Sequence, residues 1–221
     1  MIVVLGRPRV YRPEPDGELA PGGLGVEVAL ALGRTGVAVE IVGSVGDDPE
    51  GDRVVVELGR AGVGHAALLR DPSTRTPPLG EEDSVRELPR LDAADVELGL
   101  RYVADCRVLV VTEDLDPTAR RAALDAGEYH AAAVVMIASA GSVEPDALGE
   151  SVTLLERPAA ATPDGDGEDV DPSSDARARA AQEAVFAGLV ADYARRLDRG
   201  EAPAQAFMAA LDGGAWEPSA D

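Results

Sequence analysis

Lysine is absent from this chain: its 20 basic residues are all arginine, and 41 acidic residues outnumber them to give a formal charge of −21. That balance argues against nucleic acid or an anionic membrane as a partner, because both repel such a surface over a Debye length. It fits an acidic, solubilising surface encoded by a high-GC genome, with adaptation to high salt as the alternative. Aromatic residues are also scarce, at 3%. The core must then be built from Val, Leu and Ala, which favours α/β layers over an aromatic-rich sandwich. The lone Cys106 excludes an internal disulfide and a multi-cysteine metal site and suits a reducing cytoplasm. Long apolar runs are missing too. Met1 to Gly6 is too short for a signal peptide, and Ala131 to Ala138 is too short to span a bilayer, so a cytoplasmic, membrane-free protein is expected.

What is present reads as alternating strands and helices. With 221 residues and 45% hydrophobic content, a single domain over 1–221 is the default. Ile2 to Leu5 is a strand, and Gly22-Gly23 opens a helix over Val26, Ala29, Leu30, Leu32 and Gly33. Val37 to Val42 forms the next strand. Asp48 then caps a helix with Pro49 at its first position and Val54, Val55, Leu58 and Ala61 on its inner face. Further on, Arg107 to Thr112 and Ala133 to Ala138 are buried strands on either side of a helix entered through Asp116-Pro117. Ala147 to Glu150 and Val152 to Leu155 read as a last helix and strand. This order implies a doubly wound, mostly parallel sheet flanked by helices. Residues 158–175 are too polar for strands and read as a flexible acidic linker inside the domain. A dinucleotide site is excluded, because Gly6-Arg7-Pro8-Arg9-Val10 lacks the G-x-G-x-x-G spacing.

Two glycine segments stand in register: Gly22-Gly23-Leu24-Gly25-Val26-Glu27-Val28-Ala29 and Gly43-Ser44-Val45-Gly46-Asp47-Asp48-Pro49-Glu50-Gly51. Their order and spacing resemble the ribokinase-like (PfkB) carbohydrate and nucleoside kinases, in a shortened and divergent form. The resemblance implies a truncated ribokinase-like fold and a small, sugar-like ligand. It places Gly22, Gly23, Glu27, Gly46, Asp48 and Thr76 around the ligand, with Glu27 where the family has asparagine. Asp16, with Glu18 as its only rival, is the candidate for the carboxylate that holds sugar hydroxyls, although Asp16-Gly17 also reads as a plain turn. The connection from Arg7 to Pro21 looks too short to carry both that acid and the family's lid hairpin.

The resemblance weakens toward the C-terminus. The family's metal-proximal motif leaves only Glu156, and its catalytic G-A-G-D turn reads Ala180-Ala181-Gln182-Glu183. The chemistry needs free backbone N–H groups at a helix start there, to stabilise the transferring phosphoryl group. Strong helix formers and an upstream Ser173-Ser174-Asp175 cap instead predict a helix beginning near Asp175, which ties up those N–H groups. A catalytically inactive or impaired kinase homologue is therefore expected, with no cofactor. The alternative is an active kinase using ATP, Mg²⁺ held by Glu156 and Glu183 as base. A third reading is an assembly partner exposing Val185, Leu189 and Phe207, and a homo-oligomer stays open. His65 and His130 lack metal-ligand spacing, Cys106 reads as a small core residue, and Glu113-Asp114 is placed at the ligand-binding edge of a parallel sheet.

Overall fold

A computed structural model describes residues 1–14, 17–79, 88–89, 91–144, 148–149, 151–157 and 172–213, together with the backbone alone at 172–175. Its centre is β1 (Ile2–Leu5), fully buried and paired on both sides. The chain moves outward from β1 in one direction through β4 (Val39–Gly46) and β5 (Leu68–Asp71), then returns to build β6 (Val108–Val111), β7 (Ala133–Ala138) and β8 (Val152–Glu156) on the other side. The six strands are all parallel, in the order β5-β4-β1-β6-β7-β8. The winding direction reverses at β1 and β6, so the crevice outside their carboxyl ends is where an open α/β sheet offers a ligand site. The sheet agrees with the parallel, doubly wound reading.

Helices cover both faces. On one side, α1 (Leu24–Gly33), α2 (Pro49–Arg60), α5 (Pro172–Asp198) and α6 (Pro203–Gly213) bury Leu32, Val54, Leu58 and Val190 against Ile2, Val4 and Val110. On the other, α3 (Ala93–Arg101) and α4 (Pro117–Tyr129) bury Val96, Leu100 and Ala123 against Val3, Leu5 and Leu109. Alternate residues of β1 thus serve opposite cores, as the period-two geometry of a strand dictates. Asp48 and Asp116 cap α2 and α4 with proline at the start of each helix, as the sequence indicates. Cys106 is buried, and burial pushes its thiol up to about 11.

Several expectations need adjustment. The connection after β1 does form a hairpin, though a short one: β2 (Arg9–Tyr11) pairs antiparallel with β3 (Ala20–Gly22). Strand β4 runs on to Gly46 because β5 supplies ladder partners for its second half. Helix α5 starts at Pro172, so the last four residues of the expected linker are already helical, while 158–171 lie outside the described residues. Of the expected helix at 147–150, both end residues are also outside them. Among the described residues no helix is long and apolar enough to cross a membrane.

Candidate functional site

The loop between β4 and α2 is built around one carboxylate. Asp48 accepts from the Gly51 N–H at 2.8 Å, capping α2, and also from the Thr76 N–H at 2.7 Å and the Thr76 hydroxyl at 2.8 Å. The Thr76 oxygen in turn accepts from the Gly46 N–H at 3.1 Å. Burial pushes the Asp48 carboxyl up, but these hydrogen bonds and the Arg70 charge outweigh it and hold the group below its ordinary value. Gly46, Asp48 and Thr76 are therefore brought together, and their hydrogen-bonding capacity is directed at one another. The latch aligns the 74–79 segment with the start of α2.

Beside the latch lies a cleft of about 410 Å³. Its floor is apolar, with Val10, Leu19 and Leu79, and its polar rim carries Tyr11, Arg12, Glu50 and Arg75. Ala176, near the start of α5, closes one side. Gly22 ends β3, and Gly23 has φ 87°, a left-handed conformation that lets the chain turn directly into α1. Asp16 lies outside the described residues. Arg12, Tyr11 and Arg75 carry no motif of their own; only adjacency to Thr76 in sequence draws notice to Arg75.

A second group of charges lies where α1 packs along α5. Glu183 is buried, its Oε1 lies 3.5 Å from Arg179, and its Oε2 has no hydrogen-bond partner among the described residues. Burial pushes its carboxyl up, against the pull of Arg179, Arg9 and Arg157. Burial also raises Glu27, opposed by Arg34 and reinforced by the charge of Glu183. Tyr11 connects the two groups: burial raises its hydroxyl, and Glu27 adds to the effect. Along the carboxyl edge, buried Glu113 holds the Arg7 N–H at 3.1 Å and Arg9 Nη1 at 3.3 Å, and Arg157 donates to the Thr112 carbonyl. Exposed Asp114 takes Ser139 and Ser142. The Glu113-Asp114 pair is thus bound up with neighbouring side chains.

A carboxyl that binds its proton more tightly in the folded state contributes stability that is complete below the ordinary glutamate range and is lost as pH rises through the folded value. Glu183→Gln is therefore expected to stabilise the protein at pH 7 by on the order of 1 kcal/mol, a common size for single substitutions. The gain should vanish in urea titrations below about pH 4, where glutamate is neutral in both states. An unchanged gain at acid pH would show that packing, not charge, is responsible.

The Ala180 to Glu183 segment lies about two turns inside α5, whose first residue is Pro172. At that depth each N–H bonds the carbonyl four residues earlier, and none is left for a phosphoryl oxygen. Glu156 is exposed at the end of β8, and among the described residues no group of three or more His, Cys, Asp or Glu is placed to hold a metal ion. The expected apolar stripe on α5 and α6 is also not assembled. Val185 is exposed, but Leu189 is buried and Phe207 packs edge-on against Tyr193 with ring centres 5.6 Å apart.

This frame matches a known architecture. A putative ribokinase II from E. coli, solved with ATP and Mg²⁺, superposes with a TM-score of 0.54 at 14% identity, over 95% of this chain and 89% of that one. The fold is ribokinase-like. Residues 7–78, which span the hairpin, the glycine segments and Thr76, match the model of the pfkB family carbohydrate kinases. Sa239 superposes with a TM-score of 0.54 at 14% identity, over 70% of this chain and 60% of its own. An uncharacterized sugar kinase from Pyrococcus horikoshii, PH1459, solved with ATP, has a TM-score of 0.48 and 17% identity, over 66% of this chain and 54% of its own. The chain thus spans little more than half the length of these last two. No curated protein matches it in sequence.

Proposed function

We propose that this chain is a carbohydrate-kinase-like protein in which phosphoryl transfer is lost or impaired, and that it holds a small sugar-like molecule in the cleft beside the Asp48–Thr76 latch. The carrying observation is the continuity of α5 through Ala180 to Glu183. Phosphoryl transfer depends on positioning and on electrostatic stabilisation of the transferring group. Removing a backbone anion hole takes away a main source of the second. The residues at hand do not suit ATP and Mg²⁺: Glu156 stands exposed, without companion ligands among the described residues. The ligand-binding half supports the reading from the other side, since the family match covers 7–78 and ends at the cleft wall.

One observation favours an active kinase as a second reading. Glu183 is a buried carboxylate with a raised proton affinity and, among the described residues, an unpartnered oxygen, which are properties of a general base. Calorimetry of ATP with Mg²⁺, at low and at high salt, separates the two readings. No heat of binding in a folded sample is the expected result. Binding in either salt, with sugar-dependent ATP turnover abolished by Glu183→Gln, would establish the kinase.

A further inference from the structure

The cleft carries an unusual charge for this molecule. On a protein of net charge −21, its rim holds, among the described residues, two arginines, Arg12 and Arg75, against one available acid, Glu50. The other acid on the wall, Asp48, already accepts three hydrogen bonds from Gly51 and Thr76. Arg12 spends one donor on the Gly17 carbonyl at 2.7 Å, which fixes its guanidinium on the hairpin loop. Arg75 is exposed and, among the described residues, makes no hydrogen bond or ion pair through its side chain, in a chain where acids outnumber arginines two to one. Such an excess of acid leaves many candidate partners for every arginine. A guanidinium kept clear of the described acids at the mouth of a cleft is available to something else.

Two further features suit a small charged ligand. The start of α5 borders the cleft through Ala176, and a helix start carries partial positive charge. The floor of Val10, Leu19 and Leu79 offers an apolar surface to a carbon skeleton, and the volume is that of a small-molecule site.

We infer that the ligand of this cleft is a small polyol bearing one anionic group, a carboxylate or a phosphate, which Arg75 and Arg12 take between them. The inference rests on the reading of the cleft as a ligand site and adds the charge of what it holds. Arginine suits the task, because its planar donors match both carboxylate and phosphate oxygens. Glu50 opposes the anion and limits the affinity.

Calorimetry at 150 mM NaCl, which screens the long-range repulsion from the acidic surface, tests the inference with four probes: ribose, ribose 5-phosphate, gluconate and inorganic phosphate. At least one of the two charged polyols should bind at least tenfold more tightly than ribose, and which one does so separates phosphate from carboxylate. Arg75→Gln should remove that preference and Glu50→Gln should strengthen it severalfold, with both variants melting like the parent. Equal or tighter binding of ribose, no binding of either charged polyol or of phosphate, or an Arg75→Gln variant that keeps the preference would overturn the inference. Ribose binding alone would leave the cleft as a sugar site and sink only the charge assignment. Arg75-dependent binding of inorganic phosphate without any polyol would uphold the anion site and remove the carbohydrate reading.

Discussion

Asp48→Ala is expected to cost roughly 3 kcal/mol of folding stability. The N-cap accounts for about 1 kcal/mol. The rest comes from the Thr76 N–H and hydroxyl, which lose their acceptor in a residue that is only 4% exposed, at about 1 kcal/mol or more for each stranded donor. In a chain of this size that corresponds to a fall in Tm on the order of 10 °C. The pH dependence identifies the carboxylate as the cause. Asp48 titrates below its ordinary value in the folded protein. Its contribution is therefore present above the unfolded value, near 3.9, and is lost as pH falls through the folded one. Urea unfolding at pH 7 and in progressively acid buffer should show the gap between parent and variant closing. A gap that stays constant into acid would mean that the cap and latch act through shape alone.

Gly46→Ala should be nearly as damaging, by roughly 2–3 kcal/mol, the upper part of the range for overpacking. A β-carbon there would stand 2.6 Å from the Thr76 nitrogen and 2.8 Å from the Arg75 backbone. Neither neighbour is the end of a flexible side chain, so the segment carrying both residues has to move. That movement also stretches the hydrogen bonds of Thr76 to Asp48 and from Gly46. Because the two substitutions break the same latch, their effects should not add: the double variant should lose at least 0.5 kcal/mol less than the sum of the singles. Strict additivity in denaturant titrations would show that the β4–α2 loop and the 74–79 segment are held independently. Since Arg75 lies on the moved segment, the same variant should weaken any ligand that Arg75 holds.

Helix α5 runs without a break through Ala180 to Glu183, and ordinary helix propensity accounts for that. Two glycines kept free at a helix start would leave N–H groups for an anion. Alanine, glutamine and arginine in and ahead of the same positions let the helix extend backward to Pro172. The same helix supplies Ala176 to the cleft wall.

Much of this was legible in the sequence because it depends on neighbours along the chain. The strand at Ile2–Leu5 and that at Ala133–Ala138 appear with the expected bounds, since each is a continuous apolar run. The caps at Asp48 and Asp116 and the helical state of Ala180 to Glu183 are likewise local matters of capping and propensity. Strand β5 was not legible: Leu68–Asp71 mixes apolar and charged residues and becomes a strand by pairing with the second half of β4. The β2–β3 hairpin is similar, because three-residue strands rich in arginine, proline and glycine have little intrinsic preference and are held by each other and by Pro78 beside Val10.

The sequence by itself determined the alternating α/β order, the acidic surface, the all-arginine cations and the helical state of Ala180 to Glu183, because composition and helix propensity act over a few residues. Only the tertiary structure decided that Asp48 is tied to Thr76, 28 positions away, that the charge of Glu183 adds to the raised proton affinity of Glu27, and that Arg12 and Arg75 share one cleft. Those relations join residues separated by tens to more than a hundred positions, and they exist only once the sheet has brought the carboxyl ends of its strands together.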